Sequence, residues 1–259
     1  GRVGAAEAPK RIREELYRLT PDVRHVEQFT SLITQTTDLG DLKLEGDLKR
    51  DQEVLGEEVS RWLSRDSIPI VLGGGHETSF GHFLGYHLIQ RAMTIFNVDA
   101  HLDVREVVDG VATSGTPFRQ AIEHPSHLVK HYVVLGAQPH SISDTHRNYV
   151  ESHGEVILAQ DLSVSRVESL FSSGSESILL SMDLDALGGS LVPGVSSPNA
   201  IGIPLSLWFN IAEMAGLSSR VRSIDLVEMN PKFDLTGQSA RIAALTVWYF
   251  LSGLARRAQ

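Results

Sequence analysis

The chain has 259 residues, of which 42% are hydrophobic and 21% charged, and its formal net charge is −9. This composition is typical of one large soluble domain and excludes a disordered or fibrous chain. A nucleic-acid partner is also disfavoured, because phosphate binding needs a basic face and the Lys and Arg residues form no long run. We therefore expect a single domain over residues 1–259 that acts on a small molecule.

The chain contains no cysteine. It can form neither a disulfide nor a thiolate metal site, so any metal must be held by carboxylates and imidazoles. No run of 18 apolar residues and no apolar signal core occurs, so we expect a cytoplasmic protein without a membrane partner. Residue 1 is Gly rather than Met. The sequence could therefore lack its natural N-terminus, and an early strand could precede residue 1.

Apolar and β-branched runs alternate with helical patterns, which is typical of a parallel sheet built from strand–helix–strand units. We predict strands over residues 68–72, Met93–Val98, 132–135, 155–158, 178–184 and 222–227. Helical spacing of apolar residues predicts helices over residues 55–63, over 207–214 after Pro204, and over 244–254. No internal repeat or linker interrupts the chain, which favours one domain.

Three of these strands end in side chains that can bind metal ions, at the edge where open α/β sheets place their ligand crevice. In chain order these are His76 after three glycines, then Asp99, His101 and Asp103, then Asp183 and Asp185. Side chains two residues apart on a strand point in one direction, so each set can converge. Taken alone, each short motif is better explained by a tight connection or by solvated acids.

The three segments together change this interpretation. Burying so many ionisable groups beside apolar strands would leave uncompensated charge unless cations neutralise it. The six side chains are enough for two divalent cations, and carboxylates with two imidazoles suit Mn²⁺ better than structural zinc. Ligand type alone does not exclude other divalent ions.

The motifs resemble the ureohydrolase superfamily of arginase, agmatinase and formimidoylglutamase. Its hallmarks G-G-x-H, D-A-H-x-D and S-x-D-x-D occur here in order at residues 73–76, 99–103 and 181–185. The resemblance extends from about residue 1 to Asp234. It implies a three-layer α/β/α fold with a mostly parallel central sheet of about eight strands, and a homo-oligomer.

The resemblance also implies the roles of the site residues. It assigns one Mn²⁺ to His76, Asp99, Asp103 and Asp183, and the other to Asp99, His101, Asp183 and Asp185. Asp99 and Asp183 would bridge the two ions of each subunit, and a shared hydroxide would attack an amidine-type carbon. Glu228, in a segment that matches E-x-N-P-x-x-D, would pair with the charged nitrogen end of the substrate. Without that motif, Glu228 would be interpreted as a surface acid.

Three local features resemble formimidoylglutamase more than arginase. The stretch from Ser114 and Gly115 to Phe118 looks like that subgroup's S-G-T-P-F and places Phe118 where arginases carry a proton-shuttle histidine. The second feature is a pair of stretches, residues 193–198 and 136–139, which also resemble this subgroup. The third feature is Arg105, where arginases carry an asparagine.

Arg105 suggests a substrate with carboxylates. N-formimidoyl-L-glutamate has two, and a planar guanidinium is a natural bidentate partner for a carboxylate, so we hypothesise that Arg105 binds one of them. The alternative is a surface ion pair of Arg105 with Glu106 or Asp109. Arg119 is a lesser candidate for the same role.

These features imply hydrolysis of N-formimidoyl-L-glutamate to L-glutamate and formamide, a step of histidine degradation. Glu228 would stabilise the intermediate, and Asp103 or a water would carry the proton. The alternatives are an agmatinase-like hydrolase of guanidino or amidino compounds, and a non-catalytic family member that serves as a binding module. Agmatine has no carboxylate for Arg105, and a degenerate relative would usually lose ligands. We expect most of the other histidines, including His82, to lie on the surface or to pack on helices.

Overall fold

The computed structural model of the chain describes residues 2–257. Gly1, Ala258 and Gln259, which the single-domain prediction includes, lie outside the described residues. The strands are β1 (Ile70–Leu72), β2 (Met93–Val98), β3 (Val129–Ala137), β4 (Gly154–Leu158), β5 (Ser177–Asp183) and β6 (Val221–Val227). They form one parallel sheet in the order β1-β6-β5-β2-β3-β4. All six strands predicted from the apolar runs are confirmed.

The helices are α1 (Ala8–Leu16), α2 (Val26–Thr34), α3 (Leu48–Leu63), α4 (Thr78–Leu88), α5 (Pro117–Ile122), α6 (Asp144–Glu151), α7 (Val164–Ser172), α8 (Leu205–Leu217) and α9 (Gln238–Ala255). Three helices, α3, α6 and α7, have a side-chain N-cap. Asp47, Ser143 and Ser163 each accept a hydrogen bond from a backbone N–H three residues later. The three predicted helices correspond to α3, α8 and α9, with Pro204 at the N-cap of α8.

The helices cover both faces of the sheet. One apolar core joins the sheet to α1, α2, α7, α8 and α9, and a second core joins its other face to α3, α4, α5 and α6. Strands β2 and β5 lie in the middle of the sheet and are buried almost throughout, which explains why both segments are apolar on both faces. The architecture is therefore three layers, α/β/α.

The expectation of about eight strands is wrong for the described part of the chain, which has six. That number came from the family resemblance, whereas the pattern of apolar runs indicated six. The chain before β1 forms α1, α2, α3 and irregular segments, so none of those described residues extends the sheet beyond β1. Strand β1 is itself only three residues long and half-buried, as expected of an edge strand.

No helix within residues 2–257 is both long and apolar enough to cross a membrane. The cytoplasmic location and the homo-oligomer stay predictions.

Helices α8 and α9 approach each other closely at Gly216 and Gly253. A Cβ atom on Gly253 would lie 2.0 Å from the carbonyl oxygen of Glu213 and 3.0 Å from the Cα of Gly216. The substitution Gly253→Ala must push the helices apart, so we expect it to lower the free energy of unfolding by about 1–3 kcal/mol or more. Chemical denaturation measures this. Gly188→Ala is a matched control, because no atom lies closer than 3.6 Å to the added Cβ; equal losses in both variants would contradict the close-packing argument.

Candidate metal centre

The six predicted ligands lie together at the carboxyl edge of the sheet. They follow β1, β2 and β5, and these strands with β6 occupy four consecutive positions in the sheet. From β2, the chain continues to one side through β3 and β4 and then crosses to β5 on the other side. The ends of β2 and β5 therefore flank a topological switch point, where α/β folds form their binding crevice.

A first group of ligand atoms surrounds His76. The group contains His76, Asp99, Asp103 and Asp183, and its ligand atoms all lie within 4.8 Å of one another. The Nδ1 atom of His76 is 2.8 Å from Asp103 Oδ2, 3.0 Å from Asp183 Oδ2 and 3.4 Å from Asp99 Oδ2. Neighbouring ligands of an octahedral ion with bonds of about 2.1 Å lie about 3 Å apart. The spacing therefore suits the coordination shell of one divalent ion.

A second group consists of Asp99, His101 and Asp185. The Nδ1 atom of His101 lies 3.4 Å from Asp99 Oδ1 and 3.3 Å from Asp185 Oδ2. Asp99 thus belongs to both groups, one oxygen to each, which is the arrangement a bridging ligand needs. Asp183 lies in the first group alone, so its bridging role stays a prediction.

The donor atoms fit a pair of cations. Two buried ligand atoms, His76 Nδ1 and Asp185 Oδ1, have no hydrogen-bond partner within residues 2–257. A buried polar atom without a partner costs about 1–3 kcal/mol, and coordination would satisfy both atoms. The four aspartates and two neutral imidazoles carry four negative charges in total, which two divalent cations balance.

The crowded carboxylates also favour protonation. Burial raises the pKa of Asp183 well above its usual range, and repulsion from Asp185 and Asp99 adds to this effect. Burial likewise raises the pKa of Asp185 to about 7. Hydrogen bonds to Asp185 and then to Asp99 raise the pKa of His101 to about 12. A cation that binds these atoms must therefore displace protons.

Two site residues have a left-handed backbone that non-glycine residues rarely adopt. The φ angle is 44° at Asp103 and 66° at Glu228. The surrounding structure holds both residues in place: the N–H of Phe118 donates to the carbonyl of Asp103, and the N–H of Glu228 donates to the carbonyl of Gly74. Strain of this kind concentrates at functional sites.

Glu228 adjoins the metal ligands. It follows β6, its side chain is 5% exposed, and its Oε1 accepts a hydrogen bond of 2.8 Å from the backbone N–H of His76. One oxygen is thus used to orient the carboxylate, and the other can accept from a substrate. The interpretation of Glu228 as a surface acid is not supported by this burial.

Arg105 lies beside the predicted Ser114–Gly115 segment. The backbone N–H of Arg105 donates to the carbonyl of Gly115 at 2.8 Å, and a Cβ on Gly115 would lie 2.8 Å from Cδ of Arg105. The guanidinium is exposed and has no hydrogen bond or ion pair to another side chain in the described part of the chain. Glu106, the alternative partner of Arg105, instead pairs with Arg119 at 3.0 Å.

Arg119 is held by several neighbours. It pairs with Glu106 and Glu123, and its guanidinium lies 4.5 Å above the ring of Tyr149. These contacts make Arg119 a weaker candidate than Arg105 for binding a substrate carboxylate.

Two residues next to the ligands have packing or hydrogen-bonding roles. Phe118 is 1% exposed and places its ring edge-on against the imidazole of His76 at 5.0 Å. Asn97, which the sequence analysis missed, donates from Nδ2 to Asp99 Oδ2 at 3.0 Å. The spacing of two residues between Asn97 and Asp99 on one strand face was the signal that could have identified it.

Comparisons with known proteins identify the family of this chain. The family model of the arginase family matches residues 1–253. A formimidoylglutamase of Citrobacter koseri is 33% identical over 261 residues, which cover 98% of this chain and 80% of that protein. A formimidoylglutamase of Rhodococcus opacus is 35% identical over 263 residues, which cover 94% of this chain and 78% of that protein.

A solved structure gives the same result. The crystal structure of Trypanosoma cruzi formiminoglutamase with Mn²⁺₂ has a TM-score of 0.87 to this chain at 30% sequence identity. The match covers 100% of this chain and 89% of that chain. The chain therefore belongs to the arginase family.

Proposed function

We propose that this chain is a formimidoylglutamase that hydrolyses N-formimidoyl-L-glutamate to L-glutamate and formamide with two Mn²⁺ ions. The observation that carries the proposal is the convergence of four carboxylates and two imidazoles at one edge of the sheet of an arginase-family chain. Two relatives that are 33% and 35% identical are formimidoylglutamases, and a structure that is 30% identical contains Mn²⁺.

The proposed ligands are His76, Asp99, Asp103 and Asp183 for one ion, and Asp99, His101, Asp183 and Asp185 for the other. When bound, the two ions supply Lewis acidity and a water that is activated at neutral pH. The chain contributes ligands that are already oriented: Asp99 accepts from the backbone N–H of His101 at 2.7 Å, and Asp183 accepts from that of Asp185 at 2.8 Å. Such hydrogen bonds to the ligands fix their geometry.

The reaction breaks the bond between the formimidoyl carbon and the glutamate nitrogen. Oxygen from water is added to the carbon, which leaves as formamide, and a proton is delivered to the nitrogen, which leaves as the amine of glutamate. Glu228 is placed to accept hydrogen bonds from the N–H groups of the formimidoyl cation. These charge-assisted bonds would hold the carbon beside the metal ligands.

Asp103 is our candidate for carrying the proton, either directly or through a water. Its side chain is 13% exposed, against 0% for Asp99 and 3% for Asp183, so it is the more accessible carboxylate. Burial, followed by repulsion from Asp99, raises the pKa of Asp103. The resemblance of residues 114–118 to the family motif assigns Phe118 to the position of the shuttle histidine of arginases, and its ring has no proton to transfer.

The substituent that distinguishes the substrate is its pair of carboxylates, and in this proposal Arg105 binds one of them. We expect Arg105→Ala to raise KM for N-formimidoyl-L-glutamate about 10–100-fold, since a hydrogen bond to a charged group contributes about 1.5–3 kcal/mol. The kcat should change little, because in this proposal Arg105 contacts a carboxylate of the substrate and not the reacting carbon. Steady-state kinetics of Arg105→Ala and Arg105→Lys would measure this, with Arg119→Ala as the matched control. A larger KM effect at Arg119 would assign carboxylate recognition to that residue instead.

The proposed function is tested by assaying Mn²⁺-loaded protein with N-formimidoyl-L-glutamate, arginine, agmatine and guanidinobutyrate in parallel. Release of glutamate from the first substrate alone is the expected result. Turnover of agmatine or another guanidino compound alone would favour the agmatinase-like alternative and would remove Arg105 from substrate recognition. Elemental analysis after incubation with Mn²⁺ separates the remaining alternative, because a non-catalytic binding module that had lost the site would retain almost no metal.

A further inference from the structure

A network of polar side chains lies in the core behind His76. Helix α4 contributes three of them at helical spacing, and the neighbouring strands β5 and β6 contribute the other three. These residues are Ser79, His82, Tyr86, Ser181, Ser223 and Asp225, and each is at most 2% exposed. The sheet register pairs Ser181 with Asp225, and Ser223 lies two residues before Asp225 on the same face of β6.

The network forms a continuous chain of short contacts that begins at His76. The Nε2 atom of His76 lies 2.9 Å from Ser181 Oγ, which lies 2.5 Å from Asp225 Oδ1. The second oxygen of Asp225 lies 2.7 Å from His82 Nδ1. Beyond it, His82 Nε2 is 2.5 Å from Ser223 Oγ, and Ser223 Oγ is 2.7 Å from the hydroxyl of Tyr86.

The donor and acceptor inventory fixes the direction of the bonds near His76. A carboxylate only accepts, so Ser181 donates its single hydroxyl hydrogen to Asp225. Ser181 Oγ must then accept from His76, which places a hydrogen on Nε2 and leaves the lone pair of the neutral imidazole on Nδ1. Nδ1 is the atom that faces Asp99, Asp103 and Asp183.

His82 completes the arrangement from the other side of Asp225. Its Nδ1–H faces Oδ2 of Asp225 whether the imidazole is neutral or charged, so the carboxylate accepts a hydrogen bond at both oxygens. In the described part of the chain, Asp225 makes no ion pair with Lys or Arg. The polar partner of its Oδ2 atom is His82. If His82 is lost, Oδ2 of a fully buried carboxylate has no donor, and Asp225 is no longer held in the orientation in which its Oδ1 accepts from the hydroxyl of Ser181.

We infer that Asp225 and His82 are positioning residues that act through Ser181 to hold His76 in the tautomer whose Nδ1 faces the metal site. The inference rests on the two-cation site of the proposed function. Outer partners of metal-bound histidines commonly fix the tautomer and the ring orientation. Here the partner is a carboxylate reached through a hydroxyl and is itself held by a second buried imidazole.

A purely structural role for this network would predict apolar side chains at these buried positions. A buried ionisable pair contributes little net stability compared with apolar residues of similar volume. Many large apolar side chains pack in the same core, including Phe83 on the same helix and Leu179 on β5. Orientation of the His76 side chain accounts for polar groups in this part of the core, whereas a contribution to stability alone does not.

The test measures Mn²⁺ binding by titration calorimetry and electron paramagnetic resonance in wild type, Asp225→Asn, His82→Leu and His82→Asn. We expect Asp225→Asn and His82→Leu to weaken one of the two Mn²⁺ equivalents about 10–100-fold and to leave the Kd of the other within a few-fold. The spectrum of a spin-coupled pair should change to that of single ions at limiting Mn²⁺. His82→Asn keeps an N–H near the position of Nδ1 and should restore most of the affinity.

Thr246→Val is the matched control. Thr246 is also fully buried and hydrogen-bonded, to Trp208 and to the carbonyl of Ile242, but it lies in the core on the other face of the sheet. We expect it to lower stability without changing either Kd.

Folded Asp225→Asn or His82→Leu protein with both wild-type Kd values would overturn this inference and leave the proposed metal site intact. Wild-type protein that binds no Mn²⁺ would overturn the proposed metal site and this inference with it. If Asp225→Asn does not fold, the comparison of His82→Leu with His82→Asn decides.

Discussion

Replacement of Asp99 by Asn is expected to remove both metal ions and to lower turnover at least about 1000-fold, because loss of several kcal/mol of metal-derived stabilisation corresponds to that factor. Among residues 2–257, Asp99 is the one residue that belongs to both ligand groups. Its Oδ1 accepts from the backbone N–H of His101, and its Oδ2 accepts from Asn97. An amide at position 99 would direct an N–H against one of these donors and would carry no charge.

The measurement is the Mn²⁺ content of the purified variant together with the rate of glutamate release. Asp22→Asn is a matched control, since Asp22 is also a buried aspartate but pairs with Arg24 and Ser252, away from the metal ligands. Asp22→Asn should lose stability and keep its metal and its turnover. Retention of both metal equivalents in Asp99→Asn would contradict the bridging role.

The sheet was predictable from the sequence because β2 and β5 are buried on both faces. Strands in that position must be apolar at every residue, and such runs stand out against the amphipathic helices around them. The ends of the strands were harder to predict. Strand β1 is two residues shorter at its start than predicted, and β3 begins three residues earlier, at Val129. The first three residues of β3 are exposed or half-buried, and such residues weaken the hydrophobic signal that marks a strand.

The ligand set was predictable because each motif lies at a strand end, where a spacing of two residues maps onto one direction in space. The hydrogen bonds behind the ligands were not predictable in this way. Asp225 and His82 are 143 residues apart in the chain, and only the packing of α4 on β6 brings them together. From the sequence, His82 was interpreted as one of several surface or helix-packing histidines, and none of its sequence neighbours indicated a carboxylate partner.

The same contrast applies to Arg105 and Arg119. Both were candidates for substrate binding, because type and position near the motifs do not distinguish two arginines. The difference lies in their partners. Arg119 is held by two glutamates and an aromatic ring, while Arg105 packs along Gly115 and its guanidinium has no side-chain partner within residues 2–257. Side-chain partners depend on contacts across loops, which the sequence does not specify locally.

Removal of the metal ions with a chelator is expected to abolish turnover and to lower Tm, and the loss in Tm should be larger at pH 8.5 than at pH 6. Asp185 has an ordinary pKa of 3.8, and burial in the fold raises it to about 7. Between pH 3.8 and about 7, the folded state therefore binds one more proton at Asp185 than the unfolded state does. The stability that this proton provides is lost as the pH rises through 7. For His101 the pKa rises from 6.5 to about 12, so the stability from its proton is present below 6.5 and declines above it.

Bound Mn²⁺ reverses this dependence, because the ions take the place of the protons and bind more tightly where fewer protons compete. A tenfold gain in affinity adds about 1.4 kcal/mol when the metal is in excess, which corresponds to about 3–6 °C for a chain of this size. We thus expect the Tm difference between Mn²⁺-loaded and chelated protein to grow by at least about 3 °C from pH 6 to pH 8.5. Differential scanning calorimetry would measure it, with Asp99→Asn as the control in which Mn²⁺ should have little effect at either pH. A difference that shrinks toward pH 8.5 would mean that protons and cations do not compete for these carboxylates and imidazoles, and the two-cation site would have to be abandoned.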